Sequence, residues 1–351
     1  MTDTSADPFG ELTMFEPHAF TARSYEWRLH SADDAIEQQL ATEVARAGAN
    51  RAFVITSPSI VSKTKTIARI AGELGERYAG VFSEIEPEST YVSVSAATDA
   101  AREAGADLLI AVGGGSVVVA TRVVNVFLCE SGDPFELMTQ YPEGKPAVSP
   151  RLMAPKLPIL NIPTTPTSAM NRAGSGLANP DLDHRMEYFD PKTRPTAIFW
   201  DWQALRTTPF DVLRSTATTT FSSAIAPAAA RGGNPLKEGD DLQIFHLAHR
   251  AYPQLIASPE AIEPRIDLCA AALLQNRSVD DGTGGASVGD NVSLGDSAIS
   301  TALHVLYPHV GQGESISVLQ ATVARRSAVT ASIDSAQRIA QLLDVWVENM
   351  S

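Results

Sequence analysis

Apolar positions along this chain change their period as the sequence proceeds. Early on, "SADDAIEQQLATEVARAGA" sets Ala35, Ile36, Leu40 and Val44 at helical spacing behind Ser31, a candidate N-cap. The preceding "FTARSYEWRLH" alternates as an edge strand or hairpin would, and residues 1–17 read as a loose leader. Short β-branched runs then alternate with helical stretches. "RAFVITS" is followed by helical "SKTKTIARIAGELGERYA", "AGVFSEI" by "TYVSVSAATDAAREAGA", and "DLLIAVGGGS" by "VVVATRVVNVFLCE". Two more strands, "KLPILNIPTT" and "TAIFWDW", complete this part. Strands interleaved with helices predict a parallel, doubly wound α/β sheet. From about residue 209 the strand signal fades. "FDVLRSTATTTFSSAIAPAAA", "DDLQIFHLAHRAYPQLI", "AIEPRIDLCAAALLQNRS", "SAISTALHVLY" and "SVLQATVARRS" all carry helical periodicity. Two domains are expected, an α/β unit over 1–205 and an all-helical one over 206–351, with the active site in the cleft between them. One biased segment, "DDGTGGASVGDN" at 280–291, is a Gly/Asp/Ser loop that reads equally as a surface connection or a lid.

Composition narrows the function. With 41 acidic against 27 basic residues and a formal net charge of −14, the chain lacks the basic face that nucleic acids or anionic membranes require. No stretch approaches the roughly 20 apolar residues of a membrane span, and no signal-peptide pattern is present, so a cytoplasmic location is expected. Cys129 and Cys269, the two cysteines, have no metal-ligand spacing and read as buried reduced thiols.

The chemistry concentrates in three places. In "LLIAVGGGSVVVATR" a buried strand ends at Gly113, Gly114, Gly115 and Ser116, and a helix begins. Without Cβ atoms such a turn can bring backbone N–H groups against a pyrophosphate at a helix N-terminus; the alternative is a tight strand-to-helix turn with no ligand. The spacing is neither that of the Rossmann fingerprint nor of a Walker loop. In "NIPTTPTSAMNRAGS", Thr164, Thr165, Thr167 and Ser168 gather hydroxyls at a strand's C-terminal end, where open α/β sheets bind ligands. Arg172, Tyr188 and Asp190 nearby are weaker candidates for substrate contacts. The third place is "TALHVLYPHVGQGES". His304 and His309 stand five residues apart, about 140° round an ideal helix that Pro308 should end, which is poor geometry for a shared metal. Each is a candidate proton donor near neutral pH, or a solvated histidine at a helix end. His246 and His249 share a helix face but lack a third ligand, and so read as surface or core residues.

The order of elements, the "GGGS" turn, the "IPTT…S" loop, the strand "AIFWD" and the helical part that follows resemble the iron-containing alcohol dehydrogenase superfamily, most closely its maleylacetate reductases. The resemblance covers roughly residues 20–330. It implies the dehydroquinate synthase-like fold, with NAD or NADP lying across the α/β unit and its pyrophosphate on Gly113, Gly114, Gly115 and Ser116. Thr164, Thr165 and Ser168 would line the rest of that cleft, and a homodimer is implied. The family commonly places an Asp and then a Lys after this turn, where this chain has Val119 and Arg122. Metal-dependent members hold iron or zinc with an Asp and a His at i, i+4 on one helix and two later histidines. Those positions fall on Thr219, Ser223, Ser297 and Gln312, and Thr301 stands where a further, often catalytic, histidine usually follows. Hydroxyls and an amide are poor transition-metal ligands, so no metal is expected.

The resulting expectation is a metal-independent NAD(P)H-dependent reductase of a carbonyl or activated alkene on a small oxygenated substrate, as in specialised biosynthesis. Thr219, Ser223, Ser297, Thr301 and Gln312 would orient the substrate, and His304 or His309 would supply the proton. The alternatives are a non-redox enzyme of elimination, cyclisation or condensation on this scaffold, or an inactive partner subunit.

Overall fold

The computed structural model describes residues 25–224, 228, 234–282, 299–300, 302–303, 306–307 and 310–319. Six parallel strands form its centre: β1 (Arg28–Ala32), β2 (Ala52–Thr56), β3 (Tyr78–Phe82), β4 (Leu108–Gly113), β5 (Ile159–Pro163) and β8 (Ala197–Asp201), in the order β1-β8-β5-β4-β2-β3. A separate antiparallel hairpin joins β6 (Gly174–Leu177) to β7 (Met186–Phe189). The helices are α1 (Ala35–Arg46), α2 (Pro58–Lys63), α3 (Thr66–Leu74), α4 (Tyr91–Glu103), α5 (Gly115–Cys129), α6 (Pro134–Leu137), α7 (Trp202–Arg206), α8 (Phe210–Ser222), α9 (Pro235–Ala257) and α10 (Glu263–Gly282).

The strands read as unbroken apolar runs because both sheet faces are covered. Along β4, Leu108, Ile110 and Val112 join one core with α1 and α3, while Leu109 and Ala111 join another with α4 and α5. Ala35, Ile36, Leu40 and Val44 are all buried, as their spacing predicts. Ser31, however, does not cap α1. It lies within β1 opposite Trp200, its hydroxyl accepts a hydrogen bond from Trp202 Nε1 at 3.1 Å, and Asp34 holds the cap position. The single helix expected over 62–79 is broken as well. Thr64 adopts extended backbone after α2, Gly75 stops α3 at φ +51°, and Tyr78 already belongs to β3.

The helical part is welded to the sheet rather than hung from it. Ile262, Cys269, Ala272 and Leu273 pack on Met170, Ile198, Trp200 and Leu205, and α8, α9 and α10 share a second apolar seam through Leu213, Ala217, Ala251, Leu255 and Leu268. Cys269 is buried as expected, whereas Cys129 is only half-buried and donates to Asn125 Oδ1 at 3.3 Å. The 280–291 segment begins inside α10, which runs to Gly282; its remainder lies outside the described residues.

His249 belongs to the core and His246 to the surface, so the two do not form a ligand pair. The His249 ring lies 4.1 Å from Phe245 and 4.3 Å from Phe221 between ring centroids. Burial pushes its pKa down to about 4 from 6.5, although Phe245 O offers an opposing hydrogen bond. The unfolded chain therefore binds a proton that the folded one refuses between those values. Stability from this site is complete above pH 6.5 and is lost as pH falls toward 4, by on the order of 3 kcal/mol. His249→Leu should flatten this acid limb in urea melts at pH 7 and pH 4.5; an unchanged pH slope would contradict the assignment.

Candidate functional site

Strand order alone locates the cleft. From β2 the chain steps outward to β3, then crosses back to β4 on the other side of β2 and continues through β5 to β8. Ligands of open α/β sheets bind at such a reversal, beyond the C-terminal ends of the diverging strands. Here that is the space past Thr56 and Gly113, where a cleft of about 1750 Å³ opens.

Its floor is the glycine turn. Gly113 takes φ +151°, a backbone for which a Cβ would stand 2.9 Å from Val117 Cγ2. It lies beneath the cleft surface rather than on it, with its carbonyl accepting from Thr164 N at 3.0 Å. Gly114, Gly115 and Ser116 line the cleft itself. A Cβ on Gly115 would meet Thr167 Oγ1 at 3.0 Å, and one on Gly114 would meet Thr165 Oγ1 at 3.5 Å. The two loops approach most closely at Gly115, where the absent side chain keeps the space above the turn open. The first N–H groups of α5, which have no partner inside the helix, belong to residues that line the cleft.

The hydroxyl loop forms the adjoining wall. Thr164, Thr165 and Thr167 are buried, and Ser168 is half-buried. The α7–α8 connection and α10 clamp this loop through its carbonyls. Thr208 Oγ1 donates to Thr164 O at 2.7 Å, and Asn276 Nδ2 donates to Ser168 O at 2.7 Å. Opposite stands α8, contributing Ser215, Thr216, Thr219 and Thr220, with Gln312 and Glu314 from the helical residues 312–319. Gly313 packs so tightly against Ser215 O that a Cβ there would lie 2.1 Å away, which explains the glycine after Gln312.

Several sequence candidates thus converge on one cleft: Gly114, Gly115, Ser116, Thr164, Thr165, Ser168, Thr219 and Gln312. Ser223 does not; it caps α8 and is exposed, outside the cleft lining. Ser297, Thr301, His304 and His309 lie outside the described residues. Asp190 is a buried anchor paired with Lys156 at 3.1 Å and Lys192 at 3.0 Å, not a cleft residue. Tyr188 borders the cleft, but its hydroxyl donates to Pro134 O at 3.0 Å, so its own proton is committed there. Arg172 does reach the cleft and donates to Asn276 Oδ1.

Arg122 resolves the departure after the glycine turn. It is 2% exposed, and its guanidinium donates to Ser175 Oγ at 2.9 Å, Ala169 O at 2.5 Å, Arg172 O at 3.1 Å and Gly174 O at 2.9 Å. It therefore fixes the hydroxyl loop to the hairpin. Burial pushes its pKa down to about 9, with Arg172 and Arg194 adding like charge.

Other lining residues had no local signal in the sequence. Glu88 and Ser89 are consecutive non-glycine residues in the left-handed region, at φ +62° and +54°. Such strain persists only where surroundings over-determine it. Here Glu88 N donates to Ser116 Oγ at 3.1 Å, Ser89 Oγ donates to Ser116 O at 2.7 Å, and the Glu88 carboxylate pairs with Arg185 from the hairpin.

The chemistry of the donors separates two possible occupants. The glycine cradle and cleft volume fit a dinucleotide. The described residues that the resemblance matches to metal ligands, Thr219, Ser223 and Gln312, offer hydroxyls and an amide, which do not fit iron or zinc. Among the described residues, no three His, Cys, Asp or Glu side chains gather as a metal site would require. Also among the described residues, no helix is long and apolar enough to cross a membrane.

Comparison with known proteins agrees with this architecture. Residues 29–202 match the family model for iron-containing alcohol dehydrogenase. A maleylacetate reductase from Burkholderia cepacia is 27% identical over 246 residues, which is 67% of this chain and 60% of that protein's own length. The chain thus spans less than two thirds of this relative. A structure of sulfoacetaldehyde reductase from Bifidobacterium kashiwanohense in complex with NAD+ superposes with TM-score 0.74 at 16% identity, covering 94% of this chain and 86% of that one. Maleylacetate reductase from Agrobacterium tumefaciens superposes with TM-score 0.62 at 19% identity, covering 93% and 91%. Over residues 29–202 the chain is thus similar to the iron-containing alcohol dehydrogenase family, and maleylacetate reductases are among the proteins it resembles.

Proposed function

We propose that the protein is an NAD(P)H-dependent reductase of a carbonyl or activated alkene on a small oxygenated substrate, working without a metal ion. The observation that carries this reading is the glycine cradle at the strand reversal, facing a helix wall of hydroxyls and an amide, at positions that the sequence resemblance matches to metal ligands. The reductase relatives and the NAD+ complex of one structural neighbour support the redox role. In this reading Gly114, Gly115 and Ser116 hold the pyrophosphate by backbone N–H groups, and Thr164, Thr165 and Ser168 border the remainder. When bound, the dinucleotide supplies the hydride. Thr219 and Gln312 orient the substrate oxygen by hydrogen bonds, joined by Ser297 and Thr301. His304 or His309 gives the proton to the developing oxyanion or enolate. Neutral donors stabilise that charge less than a Lewis acid would, by several kcal/mol, so the substrate is an intrinsically electrophilic one. The division near residue 205, the homodimer, the cytoplasmic location and a biosynthetic role belong to the same reading.

The test is a fluorescence titration with NADH and NADPH, followed by dialysis against a chelator. Binding to at least one nucleotide is expected, with affinity unchanged by chelation and no stoichiometric iron or zinc in the purified protein. No binding of either nucleotide at millimolar concentration would leave a non-redox enzyme or an inactive partner subunit in its place, readings that Val119 in the usual carboxylate position favours. Stoichiometric metal would overturn the metal-free mechanism.

A further inference from the structure

We propose that the helical wall of the cleft recognises hydrogen-bond donors, so that the substrate presents hydroxyl or ammonium groups there, and that Glu314 sets this preference. The proposal rests on the reductase reading above and names the chemistry of its substrate.

The direction in which each hydroxyl donates decides the character of the wall. A hydroxyl carries one proton and two lone pairs, so one that has given its proton to the protein offers the cleft lone pairs. Four hydroxyls lining this wall have done so. Thr207 Oγ1 donates to Ala204 O at 2.7 Å and Thr208 Oγ1 to Thr164 O at 2.7 Å. Thr216 Oγ1 donates to Val212 O at 3.0 Å, the carbonyl four residues back along α8, as threonines inside helices do. Ser215 Oγ donates to Glu314 Oε2 at 2.7 Å, a bond strengthened by the charge of its acceptor.

Glu314 completes the set, since an ionised carboxylate only accepts. It is exposed and lines the cleft. Two glycines bring it to Ser215: a Cβ on Gly313 would collide with Ser215 O, and one on Gly311 with Glu314 Oε2. Asp211 lines the same wall and pairs with Arg214 at 3.6 Å. Two groups keep protons for the reacting oxygen. Gln312 brings its amide, and Thr219 Oγ1 lies 3.4 Å from Ser215 O, beyond the usual O–H···O range, so it can turn to the cleft. A carboxylate or sulfonate seated on the rest of the wall would face lone pairs and a like charge, whereas hydroxyl or ammonium groups find acceptors there. The glycine side has the opposite sense, because the first N–H groups of α5 are donors suited to phosphate oxygens.

Saturation-transfer NMR with three four-carbon probes, erythritol, 1,4-diaminobutane and succinate, reads this wall without turnover. Pyrophosphate in the buffer keeps succinate from the glycine turn. Wild type should bind erythritol or diaminobutane about tenfold more tightly than succinate, close to the factor that one hydrogen bond is worth. Glu314→Ala should weaken the preferred probe about tenfold and, by releasing the Ser215 proton toward the cleft, strengthen succinate about threefold. Glu314→Gln keeps an acceptor without the charge. A loss as large as that in alanine identifies ammonium as the donor, and a smaller loss identifies hydroxyl. Unchanged melting temperatures would show that both variants fold. Succinate bound as tightly as the better donor probe, no measurable binding of either donor probe, or a preference unmoved by Glu314→Ala would overturn the acceptor wall. A parallel NADPH and NADH titration keeps the two readings apart. Nucleotide binding after such a result would leave the reductase standing, whereas the expected preference without nucleotide binding would overturn the reductase and leave the wall to a substrate of other chemistry.

Discussion

Gly115→Val is expected to lower the affinity for NADH and NADPH at least 100-fold while the chain still folds. Gly115 opens α5 with ordinary helical backbone, so valine can adopt its conformation without left-handed strain. The Cβ alone would press on Thr167 Oγ1 at 3.0 Å, a contact that a rotating threonine can relieve by a few tenths of an ångström. The two methyl groups beyond it have no such escape. They stand over the first N–H groups of the helix, where an anion must approach to within hydrogen-bond distance. Hydrogen bonds to a charged partner are worth about 1.5–3 kcal/mol each, so losing two costs about 3 kcal/mol or more, a factor above 100. Gly113→Ala provides the contrast. At φ +151°, with Val117 Cγ2 only 2.9 Å from a new Cβ, it strains the turn itself and should lower the melting temperature. The measurement is the nucleotide titration together with a thermal melt for each variant. A Gly115→Val protein that melts normally and binds normally would remove the turn from the site.

The difference between these two glycines also shows which parts of the site can be read from sequence. That the turn is a turn, and that β4 before it is buried on both faces, is written locally in an apolar run followed by three glycines. Thr164, Thr165 and Ser168 are found by the same logic, since β5 ends beside β4. Which glycine faces the cleft is not local; it depends on where Val117 and Thr167 fall. Ser57, Ser59, Lys63 and Arg185 enter the cleft only because of the strand order and the hairpin, and neither leaves a periodic trace. Arg122 illustrates the limit most clearly. It stands where the resembling family commonly has a Lys, and its guanidinium turns back to carbonyls 47 to 52 residues away. Ser223 fails for the opposite reason. The i, i+4 relation to Thr219 does hold, since Ser223 N donates to Thr219 O at 3.2 Å, yet Ser223 is exposed and lies outside the cleft lining.

The second large effect concerns what holds the two halves of this arrangement in register. Asp201→Ala is expected to destabilise the fold by about 3–5 kcal/mol, the range for removing one partner of a buried, hydrogen-bonded ion pair. Asp201 ends β8 and is fully buried. One carboxylate oxygen accepts from Ala204 N at 2.9 Å, which starts α7, and from Arg69 Nη1 at 2.9 Å. The other accepts from Ile36 N at 3.2 Å and Arg69 Nη2 at 2.8 Å. Four donors from α1, α3 and α7 thus meet at one side chain. Removing it strands two backbone N–H groups and leaves Arg69, 16% exposed on its side chain, with Glu37 as its remaining partner. Asp201→Asn keeps the shape but loses the charge and turns an acceptor into a donor facing donors, so it should fall only slightly short of alanine. Arg69→Met should cost less, because the carboxylate keeps its two N–H donors. A double-mutant cycle in urea at pH 7 separates the ion pair from the capping bonds. If Asp201→Ala moves the urea midpoint no further than a surface substitution does, the carboxylate is not what joins α1, α3 and α7 to the end of β8. The site residues that follow on α8 would then owe their position to the apolar contacts of Trp200 and Leu205 alone.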